Sequence, residues 1–211
     1  MKFSKIRDFI RILVGDPDSA PNQQFTDAQI AEAYNNAAKE AVSKYGDYFY
    51  FIVKTQTISP TTTVVINGQT WAKYALPSDY ILLVAIEDDD TGIPGTIYLR
   101  GEARRNYELA VDIAPVCYIE GDYFYVAPAT LGDMKIYYAY TPMEMDPGVN
   151  DDTEPEFPLF LQYGLCYETA YLLLNRVNKS PQSAMLYKQI ANFTWLVFIR
   201  KLVSITVGGA E

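Results

Sequence analysis

The periodicities along this 211-residue chain predict an α+β fold: a four-helix bundle from both chain ends, with a large antiparallel β module inserted between helices 2 and 3. Two observations carry that expectation. Apolar residues recur every three or four positions near both ends, whereas the stretch between them alternates and is rich in β-branched and aromatic side chains. A third is the pair Asn67-Gly68 inside the alternating region, the strongest short-range hairpin signal. The expected domains are residues 1–46 with 157–211, the helical bundle and a C-terminal tail, and residues 47–156, the inserted β domain.

Element by element, Phe3, Ile6, Ile10 and Leu13 form a helical stripe that Gly15-Asp16-Pro17 ends. Lys5, Arg7 and Arg11 are too few for a DNA-binding stripe and are expected on the polar side of this helix. Thr26 stands three residues before Gln29 as a capping box, with Phe25 and Ile30 at the two positions of a hydrophobic staple. Behind them Ile30, Ala33, Tyr34, Ala37, Ala38, Ala41, Val42 and Tyr45 share a face, and Gly46 reads as a stop. A contact face made mostly of alanine predicts close packing.

Strands are expected at 48–58, 62–66, 69–76, 80–86, 97–100, 116–119, 123–126 and 134–140, the core of an antiparallel sheet of six or seven strands. Residues 101–110 read as a brief helix or turn. Residues 141–158, with four prolines and many acids, form a loop. The segment 159–177 is apolar on more than one face, as a helix buried between neighbours is. Ser180-Pro181 opens the last helix with proline at its first position; Leu186, Ile190, Phe193 and Val197 give that helix its stripe, and Trp195, Phe198 and Ile199 widen it near the end. From Ser204 to Glu211 the pattern turns strand-like.

Composition narrows the function. At 49% hydrophobic and 20% charged the chain has the balance of a folded domain, which excludes a disordered one. A net charge of −9 gives no general affinity for nucleic-acid phosphates or anionic membranes. With no histidine, Ser-His-Asp and Cys-His catalysis are impossible, and the commonest metal ligand is missing. Gly-rich phosphate loops are absent, so no catalytic residue, cofactor or metal is expected. Cys117 and Cys166 read as buried thiols. The opening residues lack the apolar core of a signal peptide, and no apolar run reaches membrane-spanning length. Eighteen tyrosines and ten phenylalanines suit strands and protein interfaces alike.

Several phrases, taken in order, resemble the head-to-tail adaptor (connector) proteins of tailed bacteriophages. They are Phe25-Thr26-Asp27-Ala28-Gln29-Ile30, then Tyr74-Ala75-Leu76-Pro77-Ser78-Asp79-Tyr80, then Gly121-Asp122-Tyr123-Phe124-Tyr125-Val126-Ala127-Pro128, then Tyr140-Thr141-Pro142 and Pro155-Glu156. The resemblance implies a non-enzymatic virion protein at the head-tail junction, made in the host cytoplasm. It implies a ring of twelve copies that docks on the portal, extends the DNA channel without binding DNA specifically, and recruits a downstream tail or nozzle protein. It also implies that the C-terminal segment docks on the portal. Here that segment includes Val203, Ser204, Ile205, Thr206 and Val207, and its composition suits an extended peptide. Glu87, Asp88, Asp89 and Asp90, with Arg104 and Arg105, are expected at a ring contact or the lumen. A heterologous ring needs two different patches per subunit, so apolar residues should surface at two places. The alternatives are a neck, stopper or tail-completion protein one layer below, whose kin are nearly all β, and a carboxylate-dependent cell-wall hydrolase using acids such as Glu87 and Glu156.

Overall fold

A computed structural model describes residues 1–17, 23–46, 50–107, 114–129 and 132–208. Helices α1 (Phe3–Val14) and α2 (Asp27–Tyr45) open the chain. Strands β1 (Val53–Ile58), β2 (Thr62–Ile66), β3 (Gln69–Ala75), β4 (Tyr80–Asp88) and β5 (Thr96–Ile97) follow. Then come the short α3 (Arg100–Arg105) and strands β6 (Val116–Glu120), β7 (Tyr123–Ala127) and β8 (Met134–Tyr140). Helices α4 (Leu159–Arg176) and α5 (Pro181–Gly208) close it. The fold is mixed α+β, with five α-helices and two sheets among the described residues. It divides into two compact units, Met1–Phe51 with Pro142–Glu211, and Ile52–Thr141.

In the helical unit α4 packs against α1, α2 and α5, and it is accordingly buried on several sides, with Leu161, Leu165, Cys166, Ala170 and Leu173 all inside. Helix α1 buries Phe3, Ile6, Ile10 and Val14 and ends where Gly15 turns left-handed at φ 69°. Its first-turn N–H groups have no partner within the helix and are satisfied by the acidic loop: Phe3 and Ser4 donate to the carbonyls of Thr153 and Asp151. Arg7 also binds the Asp151 carboxylate at 2.8 Å. These bonds hold the loop in the helical unit, so that unit resumes at Pro142. The capping box forms, with Thr26 Oγ1 accepting from the Gln29 N–H and Gln29 Oε1 accepting from the Thr26 N–H. Gly46 follows α2 in right-handed conformation at φ −57°, so it ends the helix without the left-handed turn a C-terminal glycine usually supplies.

Arg11 departs from its expected place. It is not on the polar side of α1 but 1% exposed, donating through Nη1 to the Phe25 carbonyl at 3.0 Å and to Asp16 Oδ2 at 3.3 Å, and through Nη2 to Asp27. Asp16, equally buried, also accepts the N–H groups of Gln24 and Phe25 at 2.8 Å each. A guanidinium offers enough donors to serve three acceptors at once, so it can sit inside where a lysine cannot.

The β unit holds two sheets rather than one. A three-stranded antiparallel sheet runs β1-β8-β4, and a five-stranded one runs β2-β3-β7-β6-β5, in which β5 pairs parallel to β6. The register of β4 on β8 slips at Tyr80/Leu82 and at Leu83/Ala85. One core cluster draws on both sheets, with Ala72, Tyr74, Phe124 and Val126 from the larger and Leu83, Ile86, Met134 and Ile136 from the smaller. Tyr74 stacks on Phe124 at 4.7 Å. On the other face of the larger sheet Trp71 and Tyr118 pack with Ala103 of α3. Hairpins and periodicity report only local pairing, and the choice of β8 as partner for both β1 and β4 is long-range. The first expected strand is shorter than its pattern: a 3-10 turn occupies Tyr50–Ile52, and residues 47–49 lie outside the described set. In the 101–110 stretch α3 accounts for the helix, and residues 108–110 are likewise outside.

Candidate interaction surface

Three of the four stripe residues of α5 face away from the core, while Ile190 is half-buried and Trp195 is buried. Leu186 is 53% exposed, Phe193 67% and Val197 36%, flanked by Met185 and Leu196, both more than half exposed. The residues turned to the rest of the unit are the small or polar Ala184, Ala191 and Thr194, together with Trp195, which stacks on Tyr45. Helix contact explains the inversion. Gly164 of α4 lies so close to Thr194 that a Cβ on it would stand 2.9 Å from Thr194 Cγ2. At the crossing itself that approach demands small residues, while Leu186, Phe193 and Val197 lie on the opposite side of the helix. Five such side chains present an apolar patch on the order of 400–500 Å², comparable to the largest patch on a typical monomer and usually functional at that size.

Apolar surface also emerges at the start of α4, where Leu159, Phe160 and Tyr163 are each more than two-fifths exposed and Tyr163 meets Phe9 edge-on at 5.6 Å. In the β unit, Ile93, Ile97 and Leu99 are exposed around β5. By contrast the solvent side of α2 is polar, carrying Glu32, Asn36, Glu40, Ser43 and Lys44.

The acidic run 87–90 is divided in its duties. Glu87 binds Lys135 at 2.8 Å and accepts the Tyr137 hydroxyl at 2.8 Å, and these two partners hold its carboxyl below the usual glutamate range. Asp88 is buried and caps a turn by accepting from the N–H and hydroxyl of Thr91. Asp89 accepts the Thr57 hydroxyl, while Asp90 is exposed without an ion pair among the described residues. Arg104 and Arg105 stand on α3, Arg105 exposed and Arg104 half-buried, and among the described residues no ion pair joins them to the acidic run. Glu156, the other acid singled out for hydrolysis, accepts the Met143 N–H at 2.7 Å in the helical unit. A carboxylate kept ionised by a lysine is poorly suited to act as a general acid.

Val203, Ser204, Ile205, Thr206 and Val207 are not extended. Helix α5 carries through Gly208, and residues 209–211 are outside the described set. Each residue added to an existing helix gains a hydrogen bond, which outweighs penalties of a few tenths of a kcal/mol for β-branched side chains. Cys117 and Cys166 are free and buried, and burial alone pushes the Cys117 thiol up to about 12. Among the described residues no helix is long and apolar enough to cross a membrane.

A family model described as SU10 adaptor protein matches residues 1–193. No curated protein matches the sequence at a significant level.

Proposed function

The chain belongs to the SU10 adaptor protein family, and from this membership, which makes it a phage adaptor and a virion component, we propose that it forms a ring of twelve copies at the head-tail junction. In this reading its helical unit acts as a four-helix bundle. The ring sits on the portal, extends the DNA channel and presents a platform to the next tail or nozzle protein. The function is structural and breaks no bonds. The family match over residues 1–193 is the observation that carries it, and the outward apolar face of α5 supports it physically, since a patch of that size commonly marks an interaction surface.

The net charge of −9 suits a channel wall along which DNA must slide without adhering. Asp89, Asp90 and Arg105 are exposed and available for ring or lumen contacts, whereas Glu87 and Asp88 serve internal bonds. Val203–Val207 dock on the portal as the last turns of α5, in the manner of a helix laid in a groove. Mixing the purified chain with portal rings tests the proposal. A complex of twelve copies per portal ring, seen by electron microscopy and by mass, is expected. Absence of any stoichiometric complex overturns it.

A further inference from the structure

We propose that neighbouring copies in the ring join by seating the outer face of α5 of one copy in the groove between α2 and α4 of the next. The inference rests on the ring assembly proposed above and names its seam. Along α5, Leu186, Phe193 and Val197 stand at spacings of seven and four residues, which places them on one line of the helix surface. One turn beyond Val197 the line ends in Arg200, which is exposed and forms no ion pair among the described residues.

The α2–α4 groove has the matching character. It has a volume of about 330 Å³ and is lined on the α2 side by Ala33, Asn36 and Glu40, with Leu172 and Leu173 of α4 on its floor and flank. Small residues at Ala33 and Asn36 leave hollows that large knobs fill, the geometry by which helices interdigitate. Glu40 is exposed and has no ion pair among the described residues. At the groove's rim Glu32 meets Arg176 only at 3.7 Å, with both side chains about three-fifths exposed. An apolar line ending in an exposed cation therefore faces a hollowed strip edged by the acids Glu32 and Glu40, although Glu40 also lies within the field of Lys188 on its own α5. The distances agree too, since Val197 to Arg200 and Asn36 to Glu40 each span about one helical turn.

The occupant is a second copy of this chain because one chain carries both halves of the match. The two surfaces are different, so the contact is heterologous and repeats from subunit to subunit until it closes. A twofold contact of α5 on α5 would instead stop at a dimer.

The test uses the full chain with its portal. Phe193→Cys combined with Asn36→Cys should, on mild oxidation of assembled rings, give a covalent ladder reaching the ring's full subunit number. Neither single variant should give one. Arg200→Glu and Glu40→Arg should each weaken ring formation at least tenfold at low salt, and the two together should restore it. Phe193→Asp, at an exposed position, should abolish rings with helical circular dichroism unchanged. If rings form normally with Phe193→Asp and the cysteine pair gives no ladder, the seam lies elsewhere and this inference is overturned while the adaptor reading stands. If the unaltered chain forms no ring on its portal, both fall.

Discussion

Replacing Arg11 by methionine keeps an unbranched apolar stem and removes the hydrogen bonds to Asp16, Phe25 and Asp27 at once. The loss can be worked out partner by partner. The Asp16 carboxylate, nearly fully buried, loses its only ion-pair partner among the described residues but keeps the N–H groups of Gln24 and Phe25. The Phe25 carbonyl loses a donor at 3.0 Å, which costs about 1–2 kcal/mol when the acceptor stays buried. Asp27 is 45% exposed and recovers solvent, so its share stays under about 1 kcal/mol. Breaking a buried pair from one side typically costs about 3–5 kcal/mol, and the two retained N–H donors on Asp16 place Arg11→Met toward the lower end.

Urea unfolding followed by circular dichroism at 222 nm measures this directly. A double-mutant cycle with Asp16→Asn separates the ionic contribution, because asparagine removes the stranded charge. The two substitutions together should cost less than their sum by about 1.5–3 kcal/mol. A loss under about 1 kcal/mol for Arg11→Met, or strict additivity in the cycle, refutes the view that this guanidinium pins the α1–α2 connection.

Gly164→Ala should destabilise the helical unit by about 1–2 kcal/mol, because the new Cβ meets Thr194 Cγ2 at 2.9 Å and overpacking outweighs the gain in helix propensity. In a Thr194→Ser background, which removes that methyl but keeps the hydroxyl bond to the Ile190 carbonyl and a Cβ at 3.2 Å, the same change should cost less than in the native chain, and an undiminished loss in urea midpoint counts against the contact. Alkaline pH should weaken the β unit. Burial pushes Cys117, Tyr74 and Tyr138 up to about 12, while in the unfolded chain such groups titrate near 8.5–10. A raised folded value means the stabilisation is complete below about pH 8.5 and is lost as pH climbs from about 9 toward 12. Urea midpoints at pH 8, 9.5 and 10.5 should fall in that order, and a flat series contradicts the burial of these groups.

Much of the fold was legible locally. The capping box at Thr26 and Gln29, the Gly15 stop, the Pro181 start and the Asn67-Gly68 hairpin each involve residues a few positions apart, so their physics is complete within a short window. The same holds for α4, whose all-round apolar composition announced several neighbours. The C-terminal segment misled because β-branched residues favour strands in isolation, yet here they continue a helix already nucleated more than twenty residues earlier. Arg11 misled because no signal within its helix distinguishes a solvated guanidinium from one with buried acceptors waiting at Asp16 and Phe25.

The sequence by itself determined that helices frame a β module, that the surface is acidic, that histidine-based chemistry is absent and that the element order resembles the phage adaptors. Composition and short-range spacing are enough for those, since they depend on a residue and its near neighbours. Only tertiary structure decided that the eight strands among the described residues part into two sheets, and that Leu186, Phe193 and Val197 of α5 look outward while Ala191 and Thr194 look in. Periodicity states that a face will be buried. What buries it depends on how closely two backbones can approach, and Gly164 meeting Thr194 is a fact about two residues thirty positions apart.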